Sequence, residues 1–178
     1  MKKIRTMTQV QAPMERCFKL AVSIDLQMAA TREKAVAGVT SGLIGPGETV
    51  TWRGSSFGTR TYQTLIEVWR PYSYFRDIMI SGPFNAFEHE HHFAPMNDGT
   101  RIRDEVRFTA SRGLLGPLTE PLLERKVAAY LQKRNALIKQ VAESDEWHQY
   151  LDGQPELDMR VYQAASAIPS KNLLAYAN

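Results

Sequence analysis

The chain has 178 residues, 43% of them hydrophobic, and 22 Lys and Arg against 19 Asp and Glu give a net charge of +3 and a pI near 9.0. That length fits one domain with a real core, and the basic residues are scattered, with no run that would serve as a nucleic-acid footprint. Cys17 is the lone cysteine, which excludes a disulfide framework or Cys-rich metal site; no signal peptide or bilayer-spanning stretch is visible, so a cytoplasmic protein without membrane insertion is expected.

Residues 3–11 alternate as Ile4, Thr6, Thr8 and Val10 against charged or polar neighbours, which predicts a first strand. Ala12-Pro13 opens a helix carrying Met14, Cys17, Phe18 and Ala21 on one side. Ser23 reads as the cap of a second short helix reaching about Ala30. A short strand over 34–39 precedes a glycine-rich stretch, Gly38 to Gly47, that lacks both the Gly-Lys-Ser/Thr ending of a phosphate loop and the dinucleotide-binding spacing. Residues 48–54 form a strand with Val50 and Trp52 in phase. The next, from Gly58 to about Pro71, places Tyr62, Thr64, Ile66 and Val68 on one face. A third, 74–80, aligns Phe75, Asp77 and Met79.

The hairpin from Phe84 to Phe108 is the most informative segment. Its first strand carries Phe87, His89, His91 and Phe93 at every second position, and its second carries Ile102, Asp104, Val106 and Phe108 in the same rhythm. Side chains two apart share a face, so one face is apolar with two histidines and an acid set into it, while Glu88, Glu90, Arg101, Arg103, Glu105 and Arg107 face water. Pairing Pro95 with Thr100 across a Met96–Gly99 loop aligns Phe93 with Ile102, His91 with Asp104, His89 with Val106 and Phe87 with Phe108; a one-residue slip would ruin both faces. His91 and Asp104 are then expected to be a hydrogen-bonded cross-strand pair.

After Gly116-Pro117 a long amphipathic helix is predicted from about Leu118 to Glu143, with Leu123, Val127, Leu131, Leu137, Ile138 and Val141 in phase, about 38 Å long. Beyond Ser144 the helix is expected to continue through Trp147, Tyr150 and Leu151 until Gly153, and another to run over 155–167. Apolar residues of the tail (Leu157, Val161, Tyr162, Leu173, Leu174, Tyr176) point to docking or a homodimer contact. The domain organisation is accordingly 1–143 plus a C-terminal extension, 144–178. Strand, two short helices, a run of antiparallel strands and a terminal helix make an α+β chain with helices covering one face of a sheet.

The element order, with Gly47-Glu48-Thr49-Val50-Thr51-Trp52, Phe57-Gly58, Pro71 through Phe75 to Asp77, Gly82-Pro83-Phe84, His89-Glu90-His91-His92-Phe93, Gly99-Thr100 with Asp104, and Gly113-Leu114-Leu115-Gly116 before a helix containing Arg134-Asn135-Ala136-Leu137, resembles the START/Bet v 1-like (SRPBCC) superfamily over residues 1–143. The resemblance implies a helix-grip fold: a curved antiparallel sheet of about seven strands around the C-terminal helix, with a deep hydrophobic cavity between them. Relatives bind lipids, sterols, hormones or polyketides, and some are cyclases, so the site has to decide the function.

The expected cavity lining is Trp52, Tyr62, Ile66, Phe75, Asp77, Met79, Phe87, His89, His91, Phe93, Ile102, Asp104, Val106, Phe108, Val127 and Leu131. The leading reading is binding of a hydrophobic small molecule, such as a fatty acyl, isoprenoid or aromatic polyketide compound, oriented by His89, His91 and Asp104, without a cofactor. The main rival is a cyclase or dehydratase using His91 and Asp104 as an acid–base pair. No Gly-x-Ser-x-Gly elbow or Cys-His constellation accompanies the histidines. A third reading is an interaction protein with a filled core whose function lies in the tail. His89-x-His91 with Asp77 or Asp104 has the spacing of a metal set, but the flanking Phe87 and Phe93 suit a packed core, and no metal is expected.

Overall fold

A computed structural model describes residues 1–54, 57, 61–110 and 120–164. Strand β1 (Lys2–Val10) is followed by helices α1 (Met14–Ala21) and α2 (Ile24–Thr31). Strands β2 (Lys34–Gly38), β3 (Thr49–Arg53), β4 (Thr61–Arg70), β5 (Tyr74–Ser81), β6 (Phe84–Met96) and β7 (Gly99–Ala110) come next, then helix α3 (Glu120–Ala142). A 3₁₀ turn (Asp145–Trp147), helix α4 (His148–Leu151) and strand β8 (Tyr162–Gln163) end the described chain. The main strands run antiparallel in the order β1-β7-β6-β5-β4-β3-β2. The sheet is curved and α3 lies against it, as the helix-grip resemblance implies. No described helix is long and apolar enough to cross a membrane.

The β6–β7 hairpin has the predicted register: Phe87 faces Phe108, His89 faces Val106, His91 faces Asp104 and Phe93 faces Ile102. Met96 also pairs with Gly99, so the turn proper is the Asn97-Asp98 pair, tighter than the four-residue loop expected. Gly99 is required there. Its φ is +148°, and a Cβ would sit 2.1 Å from the Val10 carbonyl oxygen. Ser23 caps α2 as predicted, its Oγ accepting from Leu26 N at 3.3 Å.

Two expectations fail for identifiable reasons. Plain alternation puts Val68 on the inner face with Ile66, but the β4–β5 register shifts between Ile66 and Val68. This bulge around Glu67 reverses the phase, so Trp69 enters the core, fully buried, edge-on to Phe18 at 5.0 Å. In the extension, α3 stops at Ala142; Ser144 then caps a 3₁₀ turn through a bond from Glu146 N. No helix covers 155–164. Here β8 pairs with Val68 and Trp69, the part of β4 that β3 does not reach. Open backbone N–H and C=O groups on that edge favour an added strand. The described extension docks on the domain: Leu157 is buried, Trp69 Nε1 donates to the Asp158 carbonyl at 2.8 Å, and Arg16 sits 4.4 Å from the Trp147 ring centroid. Leu118, residues 165–167 of the expected second tail helix, and Leu173, Leu174 and Tyr176 lie outside the described residues.

Candidate functional site

Between the inner face of the sheet and helices α2 and α3 lies a hollow of about 60 Å³. Its sheet wall is Val50, Trp52, Tyr62, Ile66, Phe75, Asp77, Met79, Phe87, His89 and His91; Ile24 and Gln27 of α2 and Tyr130 and Arg134 of α3 oppose them. The remaining expected lining residues, Phe93, Ile102, Asp104, Val106, Phe108, Val127 and Leu131, do not reach it. They share the inward phase but are buried in the solid part of the core, among α1, β1 and α3. Alternation assigns a face; which stretch of that face is hollow depends on where the helices lie.

The hollow is also narrower than the deep cavity implied by the resemblance. Drug-sized ligand sites span roughly 300–1,000 Å³. One reason is Phe57, which stands in the hollow with its ring centroid 5.2 Å from that of Tyr130, 5.3 Å from Tyr62 and 5.6 Å from Phe87. Phe57 belongs to a loop, where no periodicity marks an inward side chain.

One wall is polar, and three adjacent strands build it. Asp77 on β5 faces His89 on β6, and His91 faces Asp104 on β7. The hydrogen bonds run along the diagonals instead: His89 Nε2 donates to Asp104 Oδ1 at 3.0 Å and His91 Nε2 donates to Asp77 Oδ1 at 2.9 Å. This corrects the expected His91–Asp104 hydrogen bond. His91 Nδ1 does approach Asp104 Oδ1, to 2.7 Å, but outside hydrogen-bond geometry, so the contact is electrostatic. His89 Nδ1 lies 3.7 Å from Asp77 Oδ1. Each imidazole thus has one nitrogen toward Asp77 and the other toward Asp104. The His91 ring is stacked on Phe75, with centroids 3.9 Å apart.

Helix α3 closes the back of this wall. Asn135 Nδ2 donates to Asp104 Oδ2 at 2.6 Å and approaches Thr6 Oγ1 at 3.2 Å. Arg134 Nη1 lies 3.5 Å from Asp104 Oδ1; its Nη2 donates to the Ala21 carbonyl at 2.7 Å and its Nε to Gln27 Oε1 at 3.0 Å. Gln27 Nε2 in turn donates to the Tyr130 hydroxyl. Farther round the wall the Tyr62 hydroxyl donates to buried Glu33. Helical amphipathicity marks Val127, Leu131 and Ile138 as buried, and Arg134 and Asn135, three and four residues after Leu131, fall on that same face, although their polarity gave them no expected place in the core. An Arg-Asn pair near the middle of an otherwise apolar helix face was the available signal.

Burial drives the protonation states. It pushes the Asp104 carboxyl up, yet the bonds from His89 and the proximity of His91 outweigh it and hold the group well below 3.8. Asp77 is lowered as well: burial opposes, and the His91 bond with both imidazoles prevails. His89 goes the other way, from 6.5 down to about 4, first because it is buried and second because His91 is beside it. Burial raises both Tyr62 and Tyr130, so both stay as neutral phenols.

Sequence comparison finds no match among family models or curated proteins. Structural comparison does. One domain of the di-domain ARO/CYC StfQ from the steffimycin biosynthetic pathway superposes with a TM-score of 0.66 at 15% identity, over 81% of this chain and 51% of StfQ. TTHA0849 from Thermus thermophilus gives 0.60 at 18% identity, over 80% of this chain and all of that one. Ara h 8.0201 gives 0.57 at 13% identity, over 79% and 97%.

The chain has a helix-grip fold, similar to that of Ara h 8.0201.

At such identities the likeness establishes the helix grip and nothing of the chemistry. Within that fold the hollow carries a polar wall: a four-residue His-Asp quadrilateral of which Asp77, His89 and His91 face the hollow and Asp104 stands behind them.

Proposed function

We propose that this chain binds a small, largely apolar molecule in the hollow between sheet and α3, with Asp77, His89, His91 and Arg134 orienting one polar group of it. The observation that carries this reading is the composition of the wall: aromatic and aliphatic side chains converge with a few buried polar groups at one end. Apolar desolvation, at about 25 cal/mol per Å², would supply most of the affinity and the polar end the orientation. The volume of about 60 Å³ admits a fragment, not an extended acyl, isoprenoid or polyketide guest. A larger guest must displace the Phe57 ring from Tyr130. The experiment is native mass spectrometry of the purified chain, with organic extraction of whatever co-purifies. A bound compound in stoichiometric amount, weakened by His91→Ala, supports the reading; failure of wild type to retain or take up any member of a panel of apolar acids, phenols and ketones removes it.

A second reading, cyclisation or dehydration, draws on the imidazoles in the wall. The acid–base pair presented to the hollow is His91 with Asp77, in place of the expected His91 with Asp104. His91→Ala then abolishes turnover while leaving binding intact, whereas for an orienting residue binding itself weakens. We further propose a homodimer contact through the extension, where Met159 and Val161 are 59% and 73% exposed, testable by light scattering on the full chain. A cytoplasmic location, consistent with the single buried Cys17, is part of the same proposal.

A further inference from the structure

We propose that Asp77, His89 and His91 form a binding site for a divalent first-row transition metal, Zn²⁺ or Fe²⁺ in type, with Asp104 as the shared outer carboxylate of both histidines. The three residues bring one ligand atom each to within 4.8 Å of one another. His89 Nδ1 and His91 Nε2 both turn toward Asp77 Oδ1, at 3.7 and 2.9 Å. A cation among them at the usual distance of about 2.0–2.2 Å from each donor would need only small side-chain shifts. Two imidazoles and one carboxylate make a set that suits Zn²⁺ or non-haem Fe²⁺, and the hollow beside it leaves coordination positions open to an oxygen donor.

The outer partners fit the same assignment. A metal-bound imidazole ordinarily donates its second N–H to a carboxylate or carbonyl that fixes its tautomer. Here Asp104 Oδ1 lies 3.0 Å from His89 Nε2 and 2.7 Å from His91 Nδ1, and Asn135 holds its other oxygen. A neutral imidazole has a single N–H, yet both nitrogens of His91 face carboxylate oxygens. With the His91 proton spent on Asp77, its Nδ1 is left as a buried atom without a hydrogen-bond partner. A cation in place of that proton leaves the N–H on Nδ1, 2.7 Å from Asp104 Oδ1, where a rotation of the ring is needed to align it as a hydrogen bond, and both inner nitrogens become ligands. Charge agrees: two carboxylates meet one guanidinium, that of Arg134, in this cluster. The packed-core setting that argued against a metal in the sequence describes Phe87 and Phe93 beside the histidines; it does not describe the polar side that β5, β7 and α3 bring to them.

The site stands whether or not an organic molecule enters the hollow, and its test needs none. The full chain, stripped with chelator, is titrated with Co²⁺ while visible ligand-field absorption is followed, and Zn²⁺ is then added in competition. The expected result is one equivalent of tightly held Co²⁺ displaced by Zn²⁺. His89→Gln, His91→Gln and Asp77→Asn should each weaken binding by more than about 100-fold, and Asp104→Asn by about 10–100-fold. His92→Gln combined with His148→Gln, on the solvent side, should change nothing. Absence of a stoichiometric site in wild type overturns the proposal, as does binding that survives the three ligand substitutions or that follows the His92/His148 pair. Should the ligand variants fail to fold, X-ray absorption of Zn²⁺-loaded wild type decides: a shell with two imidazoles and oxygen supports the site, and a shell with one imidazole or none refutes it.

Discussion

The outer face of the sheet offers a clean electrostatic experiment. Glu105 on β7 lies on the side away from the hollow, but contrary to the expectation that it faces water its side chain is only 4% exposed beneath three cations. Lys3 Nζ is 2.7 Å from its Oε1, Arg5 Nη2 is 2.7 Å from Oε2, and Arg107 Nη2 is 2.5 Å from Oε1. Burial opposes its ionisation, but these bonds, that from Lys3 foremost, lower its pKa from 4.5 to about 2. At about 1.4 kcal/mol per unit the shift is worth ~3 kcal/mol at most. The cations themselves are 35–51% exposed, so screening reduces this to about 1–2 kcal/mol. The folded pKa is depressed; the contribution is therefore fully present above 4.5 and is lost as pH falls from 4.5 toward 2. Glu105→Gln should accordingly lower unfolding free energy by about 1–2 kcal/mol at pH 7 and low salt. The gap should narrow in 1 M NaCl and close progressively below pH 4.5. Urea unfolding of both proteins at a series of pH values measures it. A gap that is absent at pH 7, or that stays constant from pH 7 to 3, would refute the reasoning.

Three further outcomes test the fold. Gly99→Ala should cost about 2–3 kcal/mol in denaturant unfolding, since the Val10 carbonyl blocks the Cβ and φ is +148°; an unchanged midpoint would contradict the turn geometry. Trp69→Ala should cost about 3–5 kcal/mol and Val68→Ala distinctly less, because the bulge turns Trp69 inward; the reverse order would mean unbroken alternation in β4. Phe57→Ala should cost about 3 kcal/mol and enlarge the hollow, read as stronger uptake of an apolar fluorophore in titration. Unaltered uptake would show that this ring does not limit the volume.

Much of this protein is legible locally. Alternation along 84–108 decides which residues face inward, and the requirement that both faces stay consistent decides the register; one slip would expose Phe93 and bury an arginine. The Ser23 cap and the place of α3 follow from equally local chemistry. Contacts between residues distant in sequence decide the rest. Alternation treats His91 and Asp104 as partners because they face each other, whereas side-chain reach along the diagonal joins His91 to Asp77 on a third strand. The bulge that turns Trp69 inward answers to packing against Phe18, and β8 to an open edge of β4; neither leaves a periodic trace. Periodicity assigns a side chain to a face, and nothing more. Whether that face meets a helix, an empty space or a second polar side chain depends on three-dimensional placement of elements far apart along the chain. Hence the inner face could be read from residue order, while the position and size of the hollow, and the assembly of its polar wall from β5, β6, β7 and α3, belong to the tertiary structure.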